Sequence, residues 1–213
     1  MWHYTILFSN TNPVKKTIHS TQQTGAVRII GGRFRGKTLT FPATEGLRPT
    51  SDRIRETLFN WLMHDIQNAR CLDAFAGSGA LGFEAYSRGA AEVVLIESMP
   101  QVFRNLQQIA TSFHTSHLQV IHASAMDYLR QQRNQSDLYD VVFIDPPFSE
   151  PQMFECIHLL EQDNVLVNAG LLYVESPQEI HLDPGLWQPL KLKKAGAVTY
   201  ALYQKIARVE DAP

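Results

Sequence analysis

The residues Asp145-Pro146-Pro147-Phe148 close an apolar run, Val141-Val142-Phe143-Ile144, with a carboxylate, two rigid residues and an aromatic ring. That set suits a flat base bearing an exocyclic amine. The amine nitrogen of a nucleobase is a poor nucleophile because its lone pair is delocalised into the ring, so alkylating it requires groups that polarise its N–H bonds. Asp145 and a backbone carbonyl of the proline pair can accept those hydrogens, and Phe148 can stack on the ring. The prolines fix φ and remove backbone donors, which frees the carbonyls of the segment to turn toward a ligand. A strand that merely ends in a Pro-Pro turn would show the same tripeptide. The reading therefore leans on the aromatic that follows and on a second motif upstream.

That second motif is Leu72-Asp73-Ala74-Phe75-Ala76-Gly77-Ser78-Gly79-Ala80-Leu81-Gly82. Gly77, Gly79 and Gly82 satisfy the GxGxxG fingerprint of dinucleotide sites, and Glu97 lies where a ribose-binding acid is expected. The pattern predicts a nucleotide-like ligand without choosing one. Asp73 chooses. A carboxylate just before the glycine turn would repel the pyrophosphate of NAD or FAD, which needs bare N–H groups and a helix N-terminus. S-adenosylmethionine instead carries an ammonium and a sulfonium. Asp73 can attract the ammonium, the segment Phe75-Ala76-Gly77-Ser78-Gly79 lets backbone approach the ligand, and Glu97 can grip both ribose hydroxyls. A glycine-rich strand-to-helix turn with an incidental Asp is the bland alternative.

Five segments together resemble a known family. Arg28-Ile29-Ile30-Gly31-Gly32, Gly46-Leu47-Arg48-Pro49-Thr50, the run from Asp52 to Leu62, the run from Cys71 to Gly82, and Val142 to Phe148 occur in this order in bacterial RsmD-type 16S ribosomal RNA guanine-N2 methyltransferases. The resemblance runs from about Val27 to about Lys205. The glycine loop and the DPPF element belong to many methyltransferases, whereas the arginine-containing amino-terminal blocks are specific to this family. The likeness implies a Rossmann-like class I S-adenosylmethionine-dependent fold and methylation of the N2 of one guanine, number 966 in the customary rRNA numbering. It also implies an assembled or assembling small ribosomal subunit as partner. One position departs from the family pattern: Ser124 stands before Ala125 where Asp or Asn usually meets the adenine amino group. A hydroxyl accepts more weakly than a carboxylate, and Ser124 with the Ala125 backbone is the expected adenine contact.

The chain has 213 residues, 44% of them hydrophobic, enough for one full core. No stretch of about 18 apolar residues suggests a membrane span. The first ten residues lack the basic region and cleavage site of a secretory signal. Cys71 and Cys156 offer no disulfide framework, and the eight histidines form neither an HExxH pattern nor a metal-ligand spacing. A cytoplasmic monomer without a metal is the simplest expectation. The net charge of −2 hides a segregation. Residues 28–55 hold Arg28, Arg33, Arg35, Lys37, Arg48, Arg53 and Arg55 against Glu45 and Asp52, while 56–213 hold 10 basic and 19 acidic residues. A basic front of this kind suits RNA phosphates, although a merely solvated face would show the same balance.

The elements that must position these groups alternate. Val27–Ile30 and Lys37–Phe41 read as a hairpin carrying arginines. A helix capped by Thr50 or Ser51 is expected to reach about Gln67, with Ile54, Leu58, Trp61 and Leu62 on one face. Strands follow near 70–75, 92–97, 118–122, 139–145, 170–175, 187–193 and 197–206, with helices near 79–88, 99–113, 125–133 and 151–162. The pattern demands a seven-stranded, mostly parallel sheet covered on both faces, its last two strands antiparallel, with ligands at the carboxyl ends of the strands. Residues 1–26 read as a mobile polar tail, 27–67 as an RNA-facing hairpin and helix, and 68–207 as the catalytic core, all but the tail belonging to one domain that runs to residue 213. Three rival functions remain at this point: an amino-methylase of adenine or cytosine, an NAD-dependent oxidoreductase, which would leave Asp73 and DPPF unexplained, and a non-catalytic RNA-binding module.

Overall fold

The structure, a computed structural model, describes residues 24–42, 49–133, 138–147, 150–162 and 165–207. The expected tail up to residue 23, Arg48 and Phe148 lie outside these residues. A two-stranded hairpin, β1 (Thr24–Arg28) and β2 (Thr38–Pro42), precedes α1 (Asp52–Trp61). The core then alternates: β3 (Arg70–Asp73), α2 (Ala80–Ser87), β4 (Glu92–Glu97), α3 (Pro100–Thr111), β5 (Leu118–His122), α4 (Ala125–Gln132), β6 (Tyr139–Ile144), α5 (Glu150–Gln162), β7 (Leu166–Ser176), β8 (Trp187–Ala195) and β9 (Val198–Lys205).

The seven core strands lie in the order β5-β4-β3-β6-β7-β9-β8. Pairings from β5 to β7 are parallel, and β9 is antiparallel to both β7 and β8. Because side chains alternate across a strand, each central strand feeds two cores. Cys71, Val141, Phe143 and Tyr173 face the side covered by α1, α2 and α3, while Leu72, Val142, Ile144 and Val174 face α4 and α5. The long apolar runs of the sequence are what a sheet buried on both faces requires.

Three local expectations shift. The hairpin begins at Thr24, so residues 24–26, expected in the tail, pair with 40–42. Helix α1 opens on Ser51, whose side chain accepts from the Ile54 N–H, but it stops at Trp61 rather than near Gln67. Asn68 takes a left-handed φ of 62° and donates its N–H to the Gly89 carbonyl, turning the chain into β3. β7 starts earlier than expected, at Leu166, because a shift in its pairing with β6 admits the irregular residues before Leu171.

Candidate active site and nucleic-acid interface

Four carboxylates stand at the carboxyl ends of neighbouring strands: Glu97 on β4, Asp73 on β3, Asp145 just past β6 and Glu175 on β7. Three come from the expected set and the fourth is new. Asp73 is almost fully buried and its Oδ2 accepts from the Gly82 N–H at 3.0 Å, so the carboxylate reaches across the glycine loop to the first turn of α2. A side chain at Gly82 would place its Cβ 2.9 Å from Leu95 and 3.2 Å from that same oxygen. Gly79 initiates the helix with φ at 75°, a left-handed conformation that favours glycine. Glu97 is held by two backbone donors, Gly77 N–H at 3.0 Å on Oε2 and Met99 N–H at 2.7 Å on Oε1. That grip fixes the carboxylate against the loop and leaves further lone pairs on both oxygens.

Burial, then the nearby Asp145 and Glu97 charges, push the Asp73 carboxyl up to about 7, against the pull of the Gly82 N–H. Burial likewise raises Asp145 to about 6, opposed by a hydrogen bond from Thr50. Crowded anions with raised proton affinity make the crevice a place where a cationic ligand is welcome. Ser124 caps α4: its Oγ accepts from the Asp127 N–H at 3.1 Å and donates to the Asp127 carboxylate at 2.7 Å. Its hydroxyl hydrogen is thus committed, and Asp127 points back to the cap. Ala125 beside it is buried. Pro146 is half-buried and Pro147 exposed, as a ligand-facing turn needs.

The basic front divides. Arg28, Arg35 and Arg53 are exposed. Arg33 is exposed too, with its guanidinium 4.6 Å from the Phe34 ring centre and 4.9 Å from Tyr86, and the Lys37 ammonium sits 4.6 Å from Phe113. Arg55 corrects the expectation. It is fully buried, donating to Glu84 at 3.2 Å, Asp52 at 2.6 Å and the Arg28 carbonyl at 2.8 Å. It falls on the inner face of α1 with Ile54, Leu58 and Phe59, so it anchors the hairpin and cannot meet phosphate. Between hairpin and helix runs a groove of about 370 Å³ lined by Ala26, Arg28, Thr38, Pro49, Thr50 and Asp52. Thr50 joins it to the chemistry, donating to Asp145 Oδ2 at 3.2 Å.

Sequence reasoning missed Thr50 and Glu175 as site residues. Thr50 reads as a helix cap, a role Ser51 fills instead. Glu175 ends a strand, the same positional signal that picks out Asp73 and Glu97. No helix among the described residues is long and apolar enough to cross a membrane, and Cys71 and Cys156 are buried free thiols.

The strand order, the glycine loop and the carboxylates at the strand ends define a Rossmann-like S-adenosylmethionine-dependent methyltransferase fold. It is shared at 13% identity, with a TM-score of 0.59 over 78% of this chain and 98% of the other, with an RNA methyltransferase from Salinibacter ruber solved with S-adenosyl-L-homocysteine. A family model described as Conserved hypothetical protein 95 matches residues 27–204. The chain is 45% identical over 200 residues to Ribosomal RNA small subunit methyltransferase D of Escherichia coli strain K12, covering 93% of this chain and 98% of that protein. It also superposes on the solved yhhF structure from Escherichia coli with a TM-score of 0.77 and 44% identity, over 86% of this chain and all of the other. The chain belongs to this ribosomal RNA small subunit methyltransferase D family.

Proposed function

We propose that the protein transfers a methyl group from S-adenosylmethionine to the exocyclic N2 of a guanine in 16S ribosomal RNA, guanine 966 in the customary numbering, within an assembled or assembling small subunit. The observation that carries this reading is Asp145. It stands at the end of β6, beside Asp73 on the adjoining strand, and is linked through Thr50 to the groove under the basic hairpin. The relatives' names support rRNA of the small subunit as the substrate class.

S-adenosylmethionine supplies an electrophilic methyl group, and the cradle suits it: Asp73 for the ammonium, Glu97 for the ribose hydroxyls, Phe75 to Gly79 for close backbone approach, Ser124 and Ala125 for the adenine. Asp145 and a Pro146 or Pro147 carbonyl orient the N2 hydrogens, and Asp145 takes the proton that the methylated amine sheds. The guanine has to be unpaired or flipped, because an amine inside a stacked helix cannot be approached in line. Purified protein should transfer tritium from labelled S-adenosylmethionine to small-subunit RNA. Mass spectrometry should find one N2-methylguanosine in rRNA from cells with the gene and not without it. Methyl on an adenine or cytosine amine would overturn the assignment.

The cofactor assignment has its own consequence. Asp73→Ala and Glu97→Ala should each weaken S-adenosylmethionine binding by about 1.5 to 3 kcal/mol, the usual worth of charged hydrogen bonds. Because the free Asp73 carboxyl titrates at about 7, wild-type affinity should fall as pH drops below that value and the anion is lost. The Asp73→Ala variant should lack that dependence. Calorimetry showing unchanged affinity in both variants, with the fold intact, discards the assignment.

For the RNA edge, replacing Arg33, Arg35 and Lys37 together should flatten the slope of log affinity against log salt by up to about 3 units. Cofactor affinity should stay put. Since Arg33 and Lys37 lie against aromatic rings, thermal melts must accompany the binding curves. An unchanged slope would mean that this edge is only solvated, and would move the footprint toward Arg28 at the groove and Arg53 on α1.

A further inference from the structure

The groups assigned to the cofactor take one half of the sheet's carboxyl edge, at the ends of β3, β4 and β5. The hairpin is held over that same half by α2 and α3, through Glu84, Ser87 and Asn105. The other half, over β6, β7, β9 and β8, is left to the substrate. Strand register draws a line across it. Ile144 pairs with Val174, so Asp145 stands level with Glu175, while Glu175 pairs with Tyr200 and Tyr200 with Lys193. Three strand spacings put the Lys193 backbone roughly 14 Å from that of Asp145.

β8 is the outer strand of the sheet, and its residues from Gln188 to Lys194 are all exposed. Lys191 and Lys193 lie opposite Leu202 and Tyr200, on the face that α1 covers, and Lys194 takes the other face. The Lys193 ammonium is 5.9 Å from the centre of the Trp61 ring, which is half-buried and stacked on Tyr200 at 5.3 Å. That aromatic floor favours a cation above it. Among the described residues no carboxylate pairs with any of the three ammonium groups.

Lysines on an edge strand also guard against strand-to-strand aggregation. Here Pro189 and the shift in pairing between Pro189 and Lys191 already interrupt the edge. Charge of either sign would serve as a guard. Residues 56–213 hold 10 basic against 19 acidic residues, yet three of those ten fall within positions 191–194. A concentration of one sign against the trend of its surroundings fits a polyanion.

We infer, resting on the reading above, that the edge formed by Lys191, Lys193 and Lys194 is a second RNA-docking surface, holding phosphates a few nucleotides from the target guanine where the strand leaves Asp145 across β7 and β9. Ammonium groups on long stems make point contacts with phosphate, and such contacts need no base sequence. With the hairpin on one flank and β8 on the other, the RNA is gripped on both sides of the crevice. Leu190 and Leu192 are exposed on the same strand, which makes a ribosomal protein the rival occupant.

The test is lysine acetylation of the full-length protein, read by mass spectrometry, in three states: alone, with protein-free small-subunit rRNA, and with assembled subunits. rRNA alone should slow acetylation of Lys191, Lys193 and Lys194 at least about threefold. Combining Lys191→Gln, Lys193→Gln and Lys194→Gln should weaken RNA binding about tenfold and flatten the slope of log affinity against log salt by about 2 units, at roughly 0.7 per single-strand phosphate. Arginine at all three positions should restore both. Oligouridine, which has phosphates and no guanine, should show the same loss of slope. That arm stays readable if guanine N2 is the wrong target, so the two readings fail separately. Equal acetylation with and without rRNA, or an unchanged slope in the glutamine variant, would overturn the proposal. Protection by assembled subunits but not by rRNA alone would assign the edge to a ribosomal protein and overturn it as well.

Discussion

Asp145→Ala should reduce methyl transfer by two or more orders of magnitude while leaving S-adenosylmethionine affinity nearly intact, as the loss of a polarising acceptor typically does. The asymmetry follows from position. Asp145 lies past the end of β6 in the turn begun by Pro146, whereas the groups assigned to the cofactor sit on the glycine loop and at the ends of β3, β4 and β5. The wild-type rate should fall as pH drops through about 6, because protonation removes the acceptor that burial has already made easier to protonate. Single-turnover transfer across pH, beside calorimetric cofactor binding, checks both halves. Turnover at the wild-type rate would reduce Asp145 to a strand terminator.

Glu84→Ala should destabilise the fold by about 3 to 5 kcal/mol, the cost of breaking a buried ion pair together with the backbone hydrogen bonds its carboxylate accepts. The Glu84 side chain is fully buried and accepts from the Ile30 N–H at 2.9 Å, the Gly31 N–H at 2.8 Å, Arg55 at 3.2 Å and Arg88 at 2.7 Å. Truncation would orphan two backbone donors of the hairpin and take from the fully buried Arg55 guanidinium one of its two carboxylate partners, leaving it Asp52 and the Arg28 carbonyl. Urea unfolding followed by tryptophan fluorescence would read the loss. A midpoint equal to wild type would mean that water takes over the vacated bonds.

Much of this architecture is legible in the chain. Strands buried on both faces announce themselves as runs such as Val141 to Ile144, and the acids Asp73, Glu97 and Asp145 mark their carboxyl ends. What stayed hidden had a common cause: the ambiguity of a polar residue beside an element boundary. Arg55 lies among exposed arginines in sequence but on the apolar stripe of α1, one residue after Ile54 and three before Leu58. Its partner Glu84 lies 29 residues away, so charge counting alone placed it on the wrong face. Thr50 and Ser51 compete for one cap, and the loser is the residue that reaches Asp145. Glu175 stands at the end of its strand as Asp73 and Glu97 do, but no glycine loop or DPP motif beside it marks it as more than a strand terminator.

The seam between the hairpin and α2 has a mechanical meaning. A Cβ added at Gly32 would lie 1.9 Å from the Ser87 carbonyl oxygen, and the Ser87 hydroxyl both donates to the Gly31 carbonyl at 2.6 Å and accepts from the Phe34 N–H at 2.9 Å. The basic arm is therefore clamped to an eight-residue helix whose opposite end carries the glycine loop. An arm clamped in this way loses little conformational freedom when something docks on it, but it moulds itself poorly to what arrives. On the proposed reading, in which RNA docks on this arm, any adjustment falls to the RNA, and a strand that does not already present the right contour should be refused on shape before any base is read.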